Sequence, residues 1–505
     1  MGPDPVPSVE QASVTLTSTN GGPKRVAVIG GGIAGLAAAH RLMELAAARA
    51  IPLEVSLFER GIRLGGALET IQRNGFVMEA GADSFLAEKS AGANLAKRIG
   101  LEAELIETSD RFRKTYVVHG GRLVEVPEGF SLLAPTRLGP LMKSPLLSRT
   151  GKLRAAIEPL IPRRRKSSDE SLGAFVRRRM GRQVLDRIAQ PLAGGIYTAD
   201  PERLSLGATM PRFIEMERKY GSVIRGLRAA SRDRPEQTAG TSGARWSLFL
   251  SFRTGVCALV AALAKRLGEC VRMRTGVQEL SAGGGGRWKL GLHSGSEFEA
   301  DAVVLCAPAH AAARMLARRA PELARRLGEI NYASSATVNL AYRESDFPNP
   351  PEMFGFVVPT IEGRRIIAVS FSSLKFPGRA PNGMLLLRTF LGGALSDQMM
   401  QLDDAAMIAA AREELAELLG LRATPMIALV RRWPNSMPQY AVGHLERVAE
   451  IERQAAEIPG LALAGAAYRG VGIPDCIRSG EQAAEAIVSL LAETAAAGSS
   501  YGFPN

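Results

Sequence analysis

Glycines at positions 30, 32 and 35 sit between a short apolar run, Arg25 to Ile29, and an Ala- and Leu-rich stretch, Ile33 to Arg49, whose apolar residues recur at helical spacing. This spacing places glycine where a chain turns tightly after a strand, where backbone approaches a diphosphate, and where the following helix packs on that strand. Each role excludes a Cβ. Leu53 to Phe58 reads as the next strand, so residues 23–60 form a βαβ unit opening a parallel sheet. Gly30, Gly31, Gly32, Ile33, Ala34 and Gly35 are therefore the expected diphosphate-binding residues.

Glu59 closes the second strand, where a carboxylate accepts hydrogen bonds from both ribose hydroxyls and disfavours a 2′-phosphate. Arg60 is grouped with it. Beyond lies Arg63-x-Gly65-Gly66, a cation able to reach a phosphate beside glycines that let backbone amides approach. Gly81 and Ala82, after the strand-like Phe76-Val77-Met78, are placed along the same ligand. Far downstream, Gly465 opens a glycine-containing loop that runs through Val471, Gly472 and Ile473 into the last helix, with Asp475 in its first turn. A helix N-terminus carries roughly half a positive charge. Aimed at the N1–C2=O edge of an isoalloxazine, it favours the reduced anion, and together these segments narrow the ligand to FAD.

The remaining text divides by pattern. Residues 1–22 read as a disordered tail, 23–87 as the first part of the FAD-binding domain and 88–132 as the first part of a substrate domain. Residues 133–220 are Pro-punctuated, basic and helical, an inserted lobe, and 221–245 read as a linker or loop. The FAD-binding domain resumes over 246–320. Strand-type alternation from Ala336 to Leu391 marks a mixed sheet within the substrate domain, 321–435. Residues 436–497 return to the FAD-binding domain and 498–505 are a tail. The fold class is α/β: a doubly wound, Rossmann-like FAD-binding domain, a mixed-sheet substrate domain and a helical inserted lobe.

Composition removes other classes. The 505 residues carry a net charge of +13, concentrated at Arg163-Arg164-Arg165-Lys166 and Arg177-Arg178-Arg179, without the interleaved aromatics of a nucleic-acid reader. Solvated helix faces are the simpler reading of these clusters. The four cysteines are far apart and the five histidines scattered, so no metal site, disulfide framework or acid–base constellation is expected. No apolar run reaches the roughly 18 residues of a membrane span, and a reducing cytoplasmic setting fits best. A homodimer is left open.

Taken together, the segments Arg25 to Glu59, Arg63 to Gly66, Glu79 to Phe85, Gln190 to Tyr197, Phe371 to Pro377, Thr389 to Gly393 and Ala464 to Ala484 resemble the oxygen-dependent protoporphyrinogen oxidases. The first two belong to the wider flavin amine oxidase superfamily, and the Pro191 to Tyr197, Phe371 to Pro377 and Thr389 to Gly393 segments are the specific ones. The resemblance implies an enzyme of tetrapyrrole biosynthesis that holds its FAD non-covalently. It takes electrons from a porphyrinogen in three two-electron steps, passes them to dioxygen and releases hydrogen peroxide.

It also implies that the adenine lies against the Val277 backbone and the macrocycle between Val357, Ser370 and Phe390, with the Gly195 backbone accepting from a pyrrole N–H. Two positions depart from the family. Thr115 falls where plant-type members carry an arginine for a substrate carboxylate, leaving Arg113 or Lys114 to supply the cation, and Ser370 replaces an apolar wall residue. The expected substrate is protoporphyrinogen IX, with coproporphyrinogen III the alternative because residues 177–200 look like the bacterial branch. An amine oxidase, a carotenoid desaturase and a non-catalytic lipid-binding chaperone are the rivals. Peripheral contact with the cytoplasmic membrane through the helical lobe is a further implication, one the basic clusters would suit.

Overall fold

The computed structural model describes residues 22–164, 168–232 and 249–499. Nearly all of the expected 1–22 tail, residues 233–245 of the expected linker, Arg165 and Lys166 of the first basic cluster, and residues 500–505 lie outside them.

The opening strand, Lys24–Ile29, is central in a five-stranded parallel sheet. Leu53–Phe58 and then Val271–Arg272 lie on one side of it, and Ala302–Leu305 and then Leu461–Leu463 on the other. Three separated stretches of sequence thus build one sheet. Its strands are apolar without alternation because both faces are covered. On one face Val26, Val28, Val55, Leu57, Ala302 and Val304 pack on the opening helix Ile33–Arg49, on Cys257–Leu267 and on the closing helix Ile473–Ser499. On the other, Ala27, Ile29, Val303 and Leu305 meet a three-stranded antiparallel sheet spanning Val277–Ala300 and the helices Ala309–Leu316 and His444–Ala456. Opening and closing helices touch so closely that a Cβ on Gly480 would overlap the Ala34 carbonyl.

A seven-stranded mixed sheet runs in the order Ile427–Pro438, Tyr332–Arg343, Met384–Gly392, Ala368–Ser370, Gly355–Val357, Thr115–His119, Arg122–Glu125. Only the Gly355–Val357 and Thr115–His119 pair is parallel among these strands. One face, carrying Val118, Val338, Leu340, Phe356, Val369, Leu387 and Leu391, packs against the helix Asp404–Leu419. The strand Ile427–Pro438 escapes the sequence reading because it holds Arg431, Arg432 and Pro434. Pro434 is accommodated because this strand lies at the sheet edge, beside a register shift between Ala333 and Ser335.

Residues 138–232 form the helical lobe. Within the described part of the expected linker, 221–232, the expectation is corrected: Val223–Arg232 is a helix that buries Val223, Ile224 and Leu227. Its ten residues are too short for the period to stand out in charged text. In the Arg177–Arg179 cluster only Arg177 is exposed. Arg177 pairs with Glu202 at 2.6 Å and Arg178 with Glu170 and Glu217, each at 2.7 Å. Arg179 is fully buried against Glu158, whose carboxylate also accepts from the Ser222 hydroxyl and the amides of Val223 and Ile224.

Candidate functional site: a glycine cradle facing one side of a mixed sheet

The opening strand ends at Gly30, whose φ of +108° turns the chain so tightly that a Cβ would lie 2.9 Å from the Cys306 carbonyl oxygen. Gly35, one turn into the helix, lies so near the Gly30 carbonyl that a Cβ would overlap it. Gly31 is closed in by Leu64 and Glu59. Gly32 differs: a Cβ there meets nothing within 4 Å. It is the helix N-cap, with no side-chain cap and no acid in the first turn of Ile33, Ala34 and Gly35. An uncapped helix start beside open space is a ready site for an anion. Gly66 stands across it, since a Cβ on Gly66 would lie 3.3 Å from the Gly32 Cα, and Gly65 donates to the Gly31 carbonyl at 2.8 Å.

Glu59 accepts from the Gly31 amide at 2.8 Å and the Gly61 amide at 2.6 Å. Its own carbonyl accepts from Thr275 at 2.8 Å, which brings the Thr275 to Val277 segment beside Glu59; Val277 is buried at the start of its strand, and exposed Arg60 packs over Gly276. Arg63 departs from the phosphate role expected of it. Its guanidinium donates to the carbonyls of Leu64, Gly66 and Leu68 and pairs with Glu69, so it shapes the glycine turn. Gly81 passes so close to Ala67 that a Cβ would overlap its carbonyl, and the Ala82 amide donates to the same oxygen at 3.2 Å.

The loop from Gly465 to Ile473 completes the cradle. Gly465 donates to the Ser479 hydroxyl at 3.0 Å and faces Ala34 of the opening helix. The Tyr440 hydroxyl donates to Ala466 O at 2.6 Å and accepts from the Gly470 amide at 2.8 Å, cinching the loop; Val471 and Gly472 remain partly exposed beyond it. Tyr440 stacks on buried His444 with centroids 3.9 Å apart, and His444 Nε2 lies 2.8 Å from the Tyr468 carbonyl. Burial drives the His444 imidazole down to about 4, so it is neutral near pH 7. Asp475, in the first turn of the closing helix, pairs with Lys89 at 2.5 Å. The sequence reading missed Tyr440 and the brace role of His444, because their partners are distant in sequence and no motif marks them.

The strand registers bring the expected substrate residues together. Phe390 is opposite Ala368, Ala368 opposite Val357, and Val357 beside Val117; Ser370 is opposite both Arg388 and Gly355, and Gly355 is beside Thr115. Residues directly opposite one another, and residues two apart on a strand, share a face. Thr115, Val357, Ser370 and Phe390 therefore lie on one face of the sheet, and all four are partly exposed. Gly195, on the helix Gln190–Tyr197, faces Val357: a Cβ there would lie 3.7 Å from Val357 Cγ1. Arg113 pairs with Asp110 and Lys114 with Glu125, so both cations named for a substrate carboxylate already have acidic partners.

This same face is tied to the cradle. Thr337 Oγ1 and Trp433 Nε1 donate to the Ala80 carbonyl at 2.6 and 2.9 Å, and Asn339 Nδ2 to the Glu79 carbonyl at 3.3 Å. Arg388 Nη1 donates to the carbonyls of Glu79 and Gly81 at 3.2 and 2.5 Å. The Glu79 carboxyl, buried beside Arg379, is pushed up to about 7 by its burial, which outweighs the arginine. No group of residues able to hold a metal ion occurs among the described residues, nor any helix long and apolar enough to cross a membrane.

A diphosphate-bearing flavin fits this arrangement: open space at an uncapped helix start, the Glu59 carboxylate beside the glycine loop, and a closing helix packed against the opening one. Comparison with known proteins agrees. Residues 33–488 match the family described as flavin containing amine oxidoreductase. The coproporphyrinogen III oxidase of Bacillus subtilis (strain 168) is 35% identical over 93% of this chain and 99% of its own. The protoporphyrinogen oxidase of Homo sapiens is 32% identical over 92% and 98%. A solved structure from Exiguobacterium sp. 255-15, provisionally named a protoporphyrinogen oxidase, superposes with a TM-score of 0.81 at 30% identity, covering 92% of this chain and 98% of that one. The cofactor is FAD, and the chain belongs to the flavin containing amine oxidoreductase family as a flavin oxidase.

Proposed function

We propose that this oxidase converts a porphyrinogen into the corresponding porphyrin. The observation that carries the reading is the clustering of Thr115, Val357, Ser370 and Phe390 on the single sheet face joined to the cofactor cradle, with Gly195 standing across from Val357. Gly30 to Gly35, Glu59 and the loop from Gly465 to Ile473 would hold the FAD, which would supply a hydride acceptor for the macrocycle and a route for the electrons to dioxygen, giving hydrogen peroxide. The chain's part is positioning. Val357 and Phe390 offer apolar and aromatic contact to a large flat ring, the Gly195 carbonyl accepts from a pyrrole N–H, and the splice to residues 79–81 fixes this wall relative to the flavin. No dedicated base is assigned, because pyrrole nitrogens supply the electron push.

Similarity to coproporphyrinogen III oxidases as well as protoporphyrinogen oxidases keeps both macrocycles in view, and the higher identity to the bacterial enzyme favours coproporphyrinogen III. Purified holoprotein supplied with either porphyrinogen under air should yield porphyrin fluorescence and peroxide, faster with coproporphyrinogen III. Peroxide from amines with no porphyrin from either macrocycle would replace this reading with an amine oxidase.

For the helical lobe we infer peripheral contact with an anionic lipid surface. Support comes from Met142, Leu153, Ile157 and Leu160, which stay exposed, the last at 78%. Leu153, Ile157 and Leu160 follow helical spacing, with exposed Lys143, Arg149 and Arg163 flanking them in sequence.

A further inference from the structure

Arg388 is 3% exposed and lies two residues before Phe390 on the same sheet face. Its guanidinium carbon is 4.7 Å from the Phe390 ring centroid. The same planar fork reaches the carbonyls of Glu79 and Gly81 through Nη1 and pairs with Asp83 at 3.2 Å through Nη2. Asp83 is anchored in turn by Lys375 at 3.0 Å and by the Ser84 hydroxyl. One side chain thus links the chain segment beside the cofactor to an aromatic ring of the substrate wall.

Two facts separate this link from ordinary scaffolding. First, residues 79–81 are held to the sheet redundantly, by Thr337, Asn339 and Trp433, so that splice does not depend on Arg388 alone. Second, the residues directly opposite Phe390 on its neighbouring strands are Thr337 and Ala368, both too small to wedge a phenyl ring. A cation over one ring face is held by the ring quadrupole and restrains its rotamer, leaving the other face for contact.

We propose that Arg388 is a positioning residue: it sets the orientation of Phe390, and hence the seat of the macrocycle, by locking that ring to the Glu79 to Asp83 segment. The proposal rests on the porphyrinogen reading above for its kinetic consequence, though not for its geometry. Arg388→Lys keeps a charge for Asp83 but loses the planar fork.

In holoprotein, Arg388→Lys is expected to raise KM for coproporphyrinogen III roughly tenfold while FAD content per chain stays at the wild-type level. Phe390→Ala should raise KM by itself, and Arg388→Lys combined with it should add nothing further. Multiplying effects, an unchanged KM, or a loss of FAD with normal KM in the remaining holoprotein would each overturn the positioning role. A substrate-free arm keeps the two readings apart. With Phe390→Trp, acrylamide quenching of the added indole, taken as a difference from the parent protein, should increase when Arg388→Lys is introduced. Unchanged quenching overturns the proposal, whether or not porphyrinogen is the substrate. If the wild type turns over neither porphyrinogen, the functional reading falls and this arm alone decides.

Discussion

One oxygen of the Glu59 carboxylate accepts from the Gly31 amide at 2.8 Å, so the acid we propose for the ribose hydroxyls also holds the glycine loop in shape. Glu59→Ala removes both services. Purified variant is expected to retain at least tenfold less FAD after gel filtration, and Glu59→Gln, which keeps one acceptor oxygen, should be intermediate. Equal cofactor content in all three proteins would dismiss the ribose assignment.

Neighbouring glycines should fail in different ways. Gly32→Ala meets no atom within 4 Å, so the apoprotein should melt near the wild-type temperature while its added methyl crowds the space for a diphosphate. Gly35→Ala collides with the Gly30 carbonyl, and both melting temperature and FAD content should fall. Thermal melts of the stripped proteins separate the two, and a destabilised Gly32→Ala would count against an open cradle.

Two buried groups give opposing pH dependences. Glu79 titrates near 7 in the fold against 4.5 as reference, so its stabilising contribution is present below pH 4.5 and is lost as pH rises through 7. His444 titrates near 4 against 6.5, so its contribution is present above 6.5 and is lost as pH falls through 4. Over the shared window they oppose each other. Glu79→Gln should steepen the rise of melting temperature with pH, and His444→Phe, which preserves a ring against Tyr440, should flatten or reverse it. Parallel curves for the three proteins would contradict both assignments.

In the helical lobe, Arg179→Ala leaves the Glu158 carboxylate buried without its cation and should cost about 3–5 kcal/mol in urea unfolding. Arg177→Ala, which breaks a half-exposed pair with Glu202, should cost under about 1 kcal/mol. Similar midpoints for the two variants would refute a buried, structural Arg179.

Leu153→Glu with Leu160→Glu should reduce co-sedimentation with phosphatidylserine-containing vesicles severalfold. Met426→Glu, a change at an equally apolar exposed position outside the lobe, should leave it intact. Equal losses from both would argue against a dedicated lipid face.

What the sequence showed follows from how locally each feature is encoded. The helix Ile33–Arg49 and the strand Leu53–Phe58 match their predicted limits, because apolar spacing and flanking glycine or proline lie in the same few residues. The wall residues were named through family resemblance alone, and only the register of distant strands shows that they share a face. Arg388 meets Glu79, Gly81 and Asp83 across some 300 positions, and no local pattern signals it. The edge strand Ile427–Pro438 and the helix Val223–Arg232 were hidden by proline, charge and short length.

The contact between Gly480 and Ala34 has a bearing on synthesis. The glycine loop leaves the ribosome well before the helix that walls it in, which begins only at Ile473. Until then the nascent chain exposes the apolar side of its opening helix, a surface that invites chaperones. Cofactor capture should therefore wait for that helix, and a product terminated before Ile473 should stay colourless however well its first βαβ unit forms.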